Sequence, residues 1–178
     1  MIANIESVAQ SAPLAVARLA CAVLLIFGSA FALRVEAQPL KSVVTTERAR
    51  AELLAHAPEG VEPGKALWVG LQLAHQPEWH TYWKNSGDSG LPTQLTGTLP
   101  PGVEAGEIAW PIPKQCPIGN LANYGYSGTV LLPVPLTVTP QFKPSLLGGD
   151  LEIKLKAQWL ICRQECVPEE GDFALKNP

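Results

Sequence analysis

Residues 151–170 of the chain read LEIKLKAQWLICRQECVPEE, and this stretch decides the fold. Apolar and polar residues alternate over residues 151–157, which is the pattern of a β-strand with one buried face. Cys162 and Cys166 follow this strand. In an extended chain their Cα atoms would lie about 13 Å apart, whereas a disulfide needs a Cα separation of about 4.4 to 6.8 Å. A disulfide between them therefore requires a turn over residues 163–165.

The rest of the chain also has the pattern of β-structure. Ala49, Ala51 and Leu53 alternate with polar residues, and residues 67–73 form a strand-like apolar run. The 17 prolines and 15 glycines separate such runs into short segments, as turns between strands do. Residues 130–138 contain two prolines, which cannot donate ladder hydrogen bonds, so we expect that strand to lie at an edge or to be broken. The sequence therefore predicts an all-β sandwich.

Length and charge limit the kind of protein. A chain of 178 residues with 47% hydrophobic and 16% charged residues is typical of one globular domain. Its net charge of -3 is small, and the charged residues form no basic cluster. These features argue against binding to nucleic acid.

The N-terminal segment has the features of a secretory signal. Arg18 precedes an uncharged run at residues 19–33, and small residues follow it. The alternative is a membrane anchor that stays attached, but this run is shorter than the roughly 20 residues that span a bilayer. We therefore predict a cleaved signal peptide at residues 1–37, which includes Cys21, and one mature domain at residues 38–178. Such a domain would fold in an oxidising compartment, where disulfides persist.

The predicted mature domain has three cysteines, and the pair Cys162 and Cys166 is open to three interpretations. The pair could form a structural disulfide, although a bridge that closes a five-residue loop stabilises a fold by only about 2 kcal/mol. It could exchange electrons, because a cysteine at the mouth of a turn can be attacked by an incoming thiolate. It could bind a metal, but zinc usually has three or four protein ligands. The remaining donors are scattered: His56, His75 and His80.

Two further stretches have compositions that occur in binding sites. Residues 77–92 include three aromatic residues and a histidine before a glycine-rich turn: Trp79, His80, Tyr82 and Trp83. These side chains either form a partner surface or pack in the core with their polar atoms hydrogen-bonded, His80 being a structural histidine. Residues 120–128 have a loop composition with two tyrosines, and loops on a rigid sandwich often carry function.

Four motifs in order, WHTYWKNSGDSGLPT, AGEIAWPIPKQ, NYGYSGTVLLPVPL and QWLICRQECVPEEG, make the chain resemble a known family. This is the N-terminal periplasmic domain of the thiol:disulfide interchange protein DsbD and its ScsB-like relatives. The resemblance covers about residues 48–175. It implies an immunoglobulin-like sandwich whose redox pair, Cys162 and Cys166, is the only redox group, without a bound cofactor or metal.

The resemblance also implies partners and a location. In the family, a transmembrane reductase and a thioredoxin-like domain supply electrons. The N-terminal domain then reduces periplasmic acceptors such as disulfide isomerases or cytochrome c maturation proteins. By this pattern the chain is a periplasmic protein-disulfide reductase that forms one part of a relay.

Roles of single residues follow from the same resemblance. Cys166 would attack acceptors, and Cys162 would resolve the mixed disulfide. A loop shields the resting pair in the family, and here Asn123, Tyr124 and Tyr126 occupy the corresponding place.

Three departures from the family pattern stand out. The best-known members separate the two cysteines by five residues, whereas three separate them here. Cys116 has no family counterpart and is either a buried free thiol or a partner in a mixed or intermolecular disulfide. After residue 38 the chain has no membrane-spanning apolar run and no thioredoxin-like Cys-x-x-Cys. We therefore expect the electron source to be another chain or another portion of the protein.

Two functions of other classes compete with electron relay. The first is a secreted immunoglobulin-like binding module with a structural disulfide. The second is a periplasmic protein that handles copper or zinc, with the two cysteines and a histidine as ligands. A structural disulfide would resist reduction by glutathione, and a metal site would lose its ion on alkylation.

Overall fold

The computed structural model describes residues 41–143 and 151–177, and these residues form eleven β-strands and no helix. The predicted signal peptide at residues 1–37, with Cys21, lies outside the described residues. The strands are β1 (Val43–Thr45), β2 (Ala49–His56), β3 (Leu67–His75), β4 (His80–Gly87), β5 (Gln94–Thr98), β6 (Val103–Ala105), β7 (Lys114–Gln115), β8 (Asn123–Ser127), β9 (Thr129–Val138), β10 (Leu151–Cys162) and β11 (Cys166–Asn177).

The strands form two sheets that pack as a sandwich. The first sheet has the strand order β1-β2-β3-β9-β6. The second has the order β11-β10-β4-β8-β7, and β5 also pairs with β10. The prediction of an all-β sandwich is confirmed.

The core lies between the sheets and follows from the two-residue period of the strands. In β10 every second side chain from Leu151 to Ile161 is buried, while the intervening lysines and Glu152 are exposed. Each fully buried leucine or isoleucine contributes about 1.5 to 3 kcal/mol through the hydrophobic effect. The opposite sheet supplies the facing residues, which include Leu53, Leu71 and Leu132.

The two prolines of β9 do not break the strand. β9 pairs with β3 along its length, and β6 pairs only with its last residues, from Leu136 to Val138. The carbonyl oxygens of Pro133 and Pro135 accept hydrogen bonds from the amides of Ala109 and Gly106, on the side of β9 away from β3. The nitrogen and oxygen of one residue point to the same side of an antiparallel strand. The proline nitrogens, which carry no N–H, therefore also face away from β3, and the hydrogen bonds between β9 and β3 stay intact.

The longest hairpin carries the cysteine pair at its tip. β10 and β11 pair from Leu151 with Asn177 to Cys162 with Cys166. On its other side, β10 pairs with β5 over residues 154–158 and with β4 at one position, Cys162 opposite His80. The first residue of β4, His80, therefore lies beside Cys162.

Candidate functional site

Cys162 and Cys166 form a disulfide across the hairpin tip. Their Cα atoms are 4.1 Å apart, and the amide of Arg163 donates a hydrogen bond of 2.9 Å to the carbonyl of Glu165. The turn expected from the sequence is thus present. Cys162 is fully buried, whereas Cys166 is exposed. An incoming thiolate can therefore reach Cys166 but not Cys162.

The disulfide lies on the outer face of its sheet. Ile161 and Val167, the neighbours of the two cysteines, pack in or against the core. Because side chains alternate along a strand, Cys162 and Cys166 project from the opposite face. The same alternation puts Trp79, the residue before β4, in the core, and places His80 and Tyr82 of β4 on the outer face. The outer face thus brings together Cys162, Cys166, His80 and Tyr82, a group that we call the disulfide cluster.

Tyr82 contacts the disulfide directly. Its hydroxyl lies 3.7 Å from Sγ of Cys166, and its side chain is fully buried. Burial raises the pKa of Tyr82, a thiolate on Cys116 would raise it further, and a hydrogen bond with Ser89 acts in the opposite direction. The ring of His80 packs edge-on against the Tyr82 ring, with centroids 5.3 Å apart. A neutral phenol beside the sulfur can donate a hydrogen bond to a thiolate formed there.

The segment after β4 covers Tyr82. Gly90 lies so close that a Cβ atom at this position would overlap the Tyr82 ring. The segment is fixed to β8 because Asn123 Oδ1 accepts hydrogen bonds from the amide and hydroxyl of Ser89, at 2.9 and 3.1 Å. Asp88 Oδ2 accepts a further bond of 2.8 Å from the amide of Ala122. We call residues 87–91 the covering loop; its glycines and Asp88 are the sequence signal that could have identified it.

The residues expected to shield the cysteines occupy different faces of β8. Asn123 is fully buried and holds the covering loop, while Tyr124 is 40% exposed. Tyr126 packs in the core between the sheets and donates a 2.8 Å hydrogen bond to the carbonyl of Pro111. Burial raises the pKa of Tyr126 to about 12. The tyrosine that contacts Cys166 is Tyr82, and shielding by the three β8 residues stays a prediction.

Trp79 lies below the hairpin turn rather than on the surface. It is 8% exposed, and the guanidinium groups of Arg48 and Arg163 lie over its ring, 5.2 and 5.1 Å from the centroid. Arg163 also forms an ion pair of 3.6 Å with Glu78. Arg163 belongs to the turn between the cysteines, so these contacts hold the turn against the sandwich.

Burial limits how the aromatic residues of β4 could contact a partner. His80 and Tyr82 are buried like Trp79, and Trp83 is half-buried. The Nε1 atom of Trp83 is buried and has no hydrogen-bond partner among the described residues. The expectation that the polar atoms of these aromatic residues are hydrogen-bonded is therefore not met at Trp83. A partner surface formed by these residues stays a prediction.

The histidine with a full set of hydrogen bonds is His75, not His80. Nδ1 of His75 lies 2.7 Å from the carbonyl oxygen of Gly128, and Nε2 lies 2.9 Å from the hydroxyl of Thr81. Since a carbonyl can only accept, Nδ1 donates and Nε2 accepts from Thr81. Nε2 of His80 is buried without a hydrogen-bond partner among the described residues. A buried unpaired polar atom is rare and requires an explanation.

Cys116 is a half-buried free thiol just after β7. Its amide donates to the carbonyl of Asn123 at 2.8 Å, and its Sγ lies 3.7 Å from the carbonyl oxygen of Lys114. Burial raises its pKa, although the charge of Lys114 and a backbone hydrogen bond from Gly125 act in the opposite direction. Because the thiolate is the nucleophile, the raised pKa makes the Cys116 thiol less reactive at neutral pH.

No three histidine, cysteine or acidic side chains are close enough to hold a metal ion within residues 41–143 and 151–177. In the same part of the chain there is no helix with the length and apolarity needed to cross a membrane.

A comparison with known protein families identifies the family of the chain. The family described as "Thiol:disulfide interchange protein DsbD, N-terminal" matches residues 50–178, which is most of the chain. The chain belongs to this DsbD N-terminal family. The family assignment made from the sequence is confirmed. No curated protein matches the chain significantly.

Solved structures support the fold. The N-terminal periplasmic domain of ScsB from Proteus mirabilis superposes with a TM-score of 0.57 at 16% identity, over 76% of this chain. The match covers 50% of the ScsB chain, so this chain spans about half the length of that structure. The prediction of an immunoglobulin-like sandwich of the DsbD N-terminal type is confirmed. GAE domains of yeast GGA2p and GGA1 give TM-scores of 0.38 and 0.39 at 11% and 12% identity. The matches cover 79% and 76% of this chain and 100% and 98% of the GAE chains. These TM-scores are too low to establish a common fold.

Proposed function

We propose that the Cys162–Cys166 disulfide of this domain is redox-active and passes electrons to disulfides of periplasmic proteins. The observation that supports this most is the asymmetry of the pair, in which Cys166 is exposed and Cys162 is fully buried. Thiol–disulfide exchange needs one sulfur that a partner can attack and a second sulfur that resolves the mixed disulfide. Cys166 fits the first role and Cys162 the second.

The partners are proposed from the family. A thioredoxin-like domain, itself reduced by a transmembrane reductase, would donate electrons to the domain. Disulfide isomerases or cytochrome c maturation proteins in the periplasm would accept them. The disulfide is the only redox group required for this relay, and the domain would act as a protein-disulfide reductase.

Side chains around the pair have proposed roles. Tyr82 donates a hydrogen bond to the Cys166 thiolate after reduction. Asn123 holds the covering loop over Tyr82, and together with Tyr124 and Tyr126 it restricts access to the resting disulfide. A partner that displaces the covering loop would contact the segment that contains Trp79, His80, Tyr82 and Trp83.

Trapping a mixed disulfide tests this assignment. In the full chain, Cys162→Ser leaves Cys166 without a resolving thiol. The probe is a thioredoxin-like protein with one active-site cysteine, activated as its mixed disulfide with thionitrobenzoate. This probe should become covalently attached to the variant. Cys166→Ser is the matched control and should trap little, because Cys162 is buried. Peptide mapping should place the bond on Cys166. Equal trapping by both variants would contradict the proposed roles.

A further inference from the structure

His80 lies beside the buried cysteine of the pair. It is the residue directly opposite Cys162 in the pairing of β4 with β10. Directly opposite residues on one face of an antiparallel pair have Cβ atoms about 4.5 to 5.5 Å apart. His80 is 7% exposed, and its buried Nε2 atom has no hydrogen-bond partner among the described residues. The fold therefore keeps a histidine with an unpaired ring nitrogen directly opposite Cys162.

The buried position of Cys162 creates a need for proton transfer. To resolve a mixed disulfide, Cys162 must attack as a thiolate. Burial disfavours a thiolate, because the charge is removed from water without compensation. A base within the protein would remove this obstacle by taking the proton as the sulfur attacks.

We propose that His80 is the general base that takes the proton from the Cys162 thiol when Cys162 resolves a mixed disulfide on Cys166. This inference rests on the proposed redox function and adds a residue to it. The contact between the His80 and Tyr82 rings, 5.3 Å between centroids, holds the imidazole within the disulfide cluster. Tyr82 contacts Cys166 in turn.

The step balances in protons and electrons. Before it, Cys166 is bonded to a sulfur of the partner, Cys162 is a thiol and His80 is neutral. The proton of Cys162 moves to the imidazole, and the Cys162 sulfur attacks Sγ of Cys166. The bond between Cys166 and the partner breaks, and the partner sulfur leaves with the electron pair and accepts the proton from the imidazolium. The two cysteines are oxidised to the disulfide, and the partner sulfur is reduced to a thiol.

The burial of His80 favours its neutral form. Burial lowers the pKa of His80 below its ordinary value of 6.5, so the imidazole is a free base at neutral pH. The titratable groups that face it are Tyr82 on β4, Cys162 on β10 and Cys166 on β11, with His75 at the end of β3 close enough to interact by charge. On β8 its partner is Ser127, which does not titrate.

Oxidation of the reduced full chain by oxidised glutathione tests the proposal. Samples are quenched with acid, alkylated and mapped by mass spectrometry, which separates formation of the Cys166–glutathione disulfide from its resolution by Cys162. We expect His80→Gln to slow resolution at pH 7 at least about tenfold, as loss of a general base does, and to leave the first step unchanged. The wild-type resolution rate should be nearly flat above about pH 6.5, whereas that of His80→Gln should rise with pH. His56→Gln, at an exposed position away from the disulfide cluster, is the control for replacing a histidine by glutamine.

Nuclear magnetic resonance of the wild-type protein provides a test that does not depend on a variant. The titration of the His80 ring should change when Cys162 and Cys166 are reduced. Resolution in His80→Gln at the wild-type rate and pH profile, or a His80 titration that is the same in both redox states, would overturn the role of His80 alone. A wild-type protein that never forms a Cys166–glutathione disulfide would overturn the proposed redox function as well.

Discussion

The hydroxyl oxygen of Tyr82 lies 3.7 Å from Sγ of Cys166, although the two residues are 84 positions apart in sequence. This contact joins the centre of one sheet to the exposed sulfur at the hairpin tip. A hydrogen bond from the hydroxyl would stabilise a thiolate on Cys166 after reduction.

Tyr82→Phe should therefore reduce the reactivity of Cys166. The ring and its packing against Gly90 remain, and only the donor is lost. A hydrogen bond to a charged group is worth about 1.5 to 3 kcal/mol, so the Cys166 pKa in the reduced protein should rise by about one unit or more. The rate of Cys166 alkylation as a function of pH measures this. Tyr124→Phe, at an exposed tyrosine, should leave the curve unchanged. A Tyr82→Phe curve identical to that of the wild type would show that the hydroxyl does not act on the sulfur.

Gly90→Ala should destabilise the covering loop. A Cβ atom at Gly90 would overlap the Tyr82 ring, and the backbone φ of 94° is unfavourable for any other residue. We expect a loss of about 2 kcal/mol or more in the free energy of unfolding, measured by urea denaturation. Gly60→Ala is the matched control, because Gly60 has a φ of 84° and no heavy atom within 4 Å of the new Cβ. Equal losses in both variants would mean that φ alone, and not the contact with Tyr82, is responsible.

Glu169→Gln should destabilise the fold more than Glu170→Gln. Glu169 is nearly buried and accepts hydrogen bonds from Thr46, Arg48 and the indole of Trp159, at 3.0, 3.3 and 3.1 Å. Removing its charge leaves Arg48 with a weaker partner, at a loss of about 1 to 3 kcal/mol. Glu170, the control, is exposed, and surface ion pairs contribute only about 0 to 1 kcal/mol. Urea denaturation of both variants distinguishes them, and similar midpoints would contradict the role of Glu169.

The stability of the protein should fall as the pH drops below about 6.5. Burial lowers the pKa of His75, the charge of His80 adds to this, and only the carbonyl of Gly128 opposes it. The unfolded chain then binds a proton at His75 more readily than the folded protein does. The contribution is fully present above pH 6.5 and is lost as the pH falls toward the lower folded pKa. Urea midpoints at several pH values should decline less steeply for His75→Gln than for the wild type and His56→Gln. Parallel declines in all three proteins would exclude His75 as the cause.

The sequence predicts the local structure and the cysteines of the disulfide, but not the surroundings of that pair. Alternation over residues 151–157 is a local property, and so is the turn that a Cys162–Cys166 bond requires. The position of Tyr82 depends on a long-range pairing and on a register shift in β4 after Tyr82, which no local pattern reveals. For the same reason the prediction of a loop at residues 120–128 is wrong: Asn123–Ser127 form strand β8, and Tyr126 packs in the core.

Redox titration of the full chain tests the central claim most directly. The protein is equilibrated in glutathione buffers, alkylated and analysed by mass spectrometry for Cys116, Cys162 and Cys166 separately. We predict a reversible two-electron transition of the Cys162 and Cys166 pair between roughly -270 and -120 mV, the range of thioredoxin and the periplasmic oxidants. A pair that stays oxidised well below about -300 mV would be a structural disulfide, and this result would contradict a redox-active role.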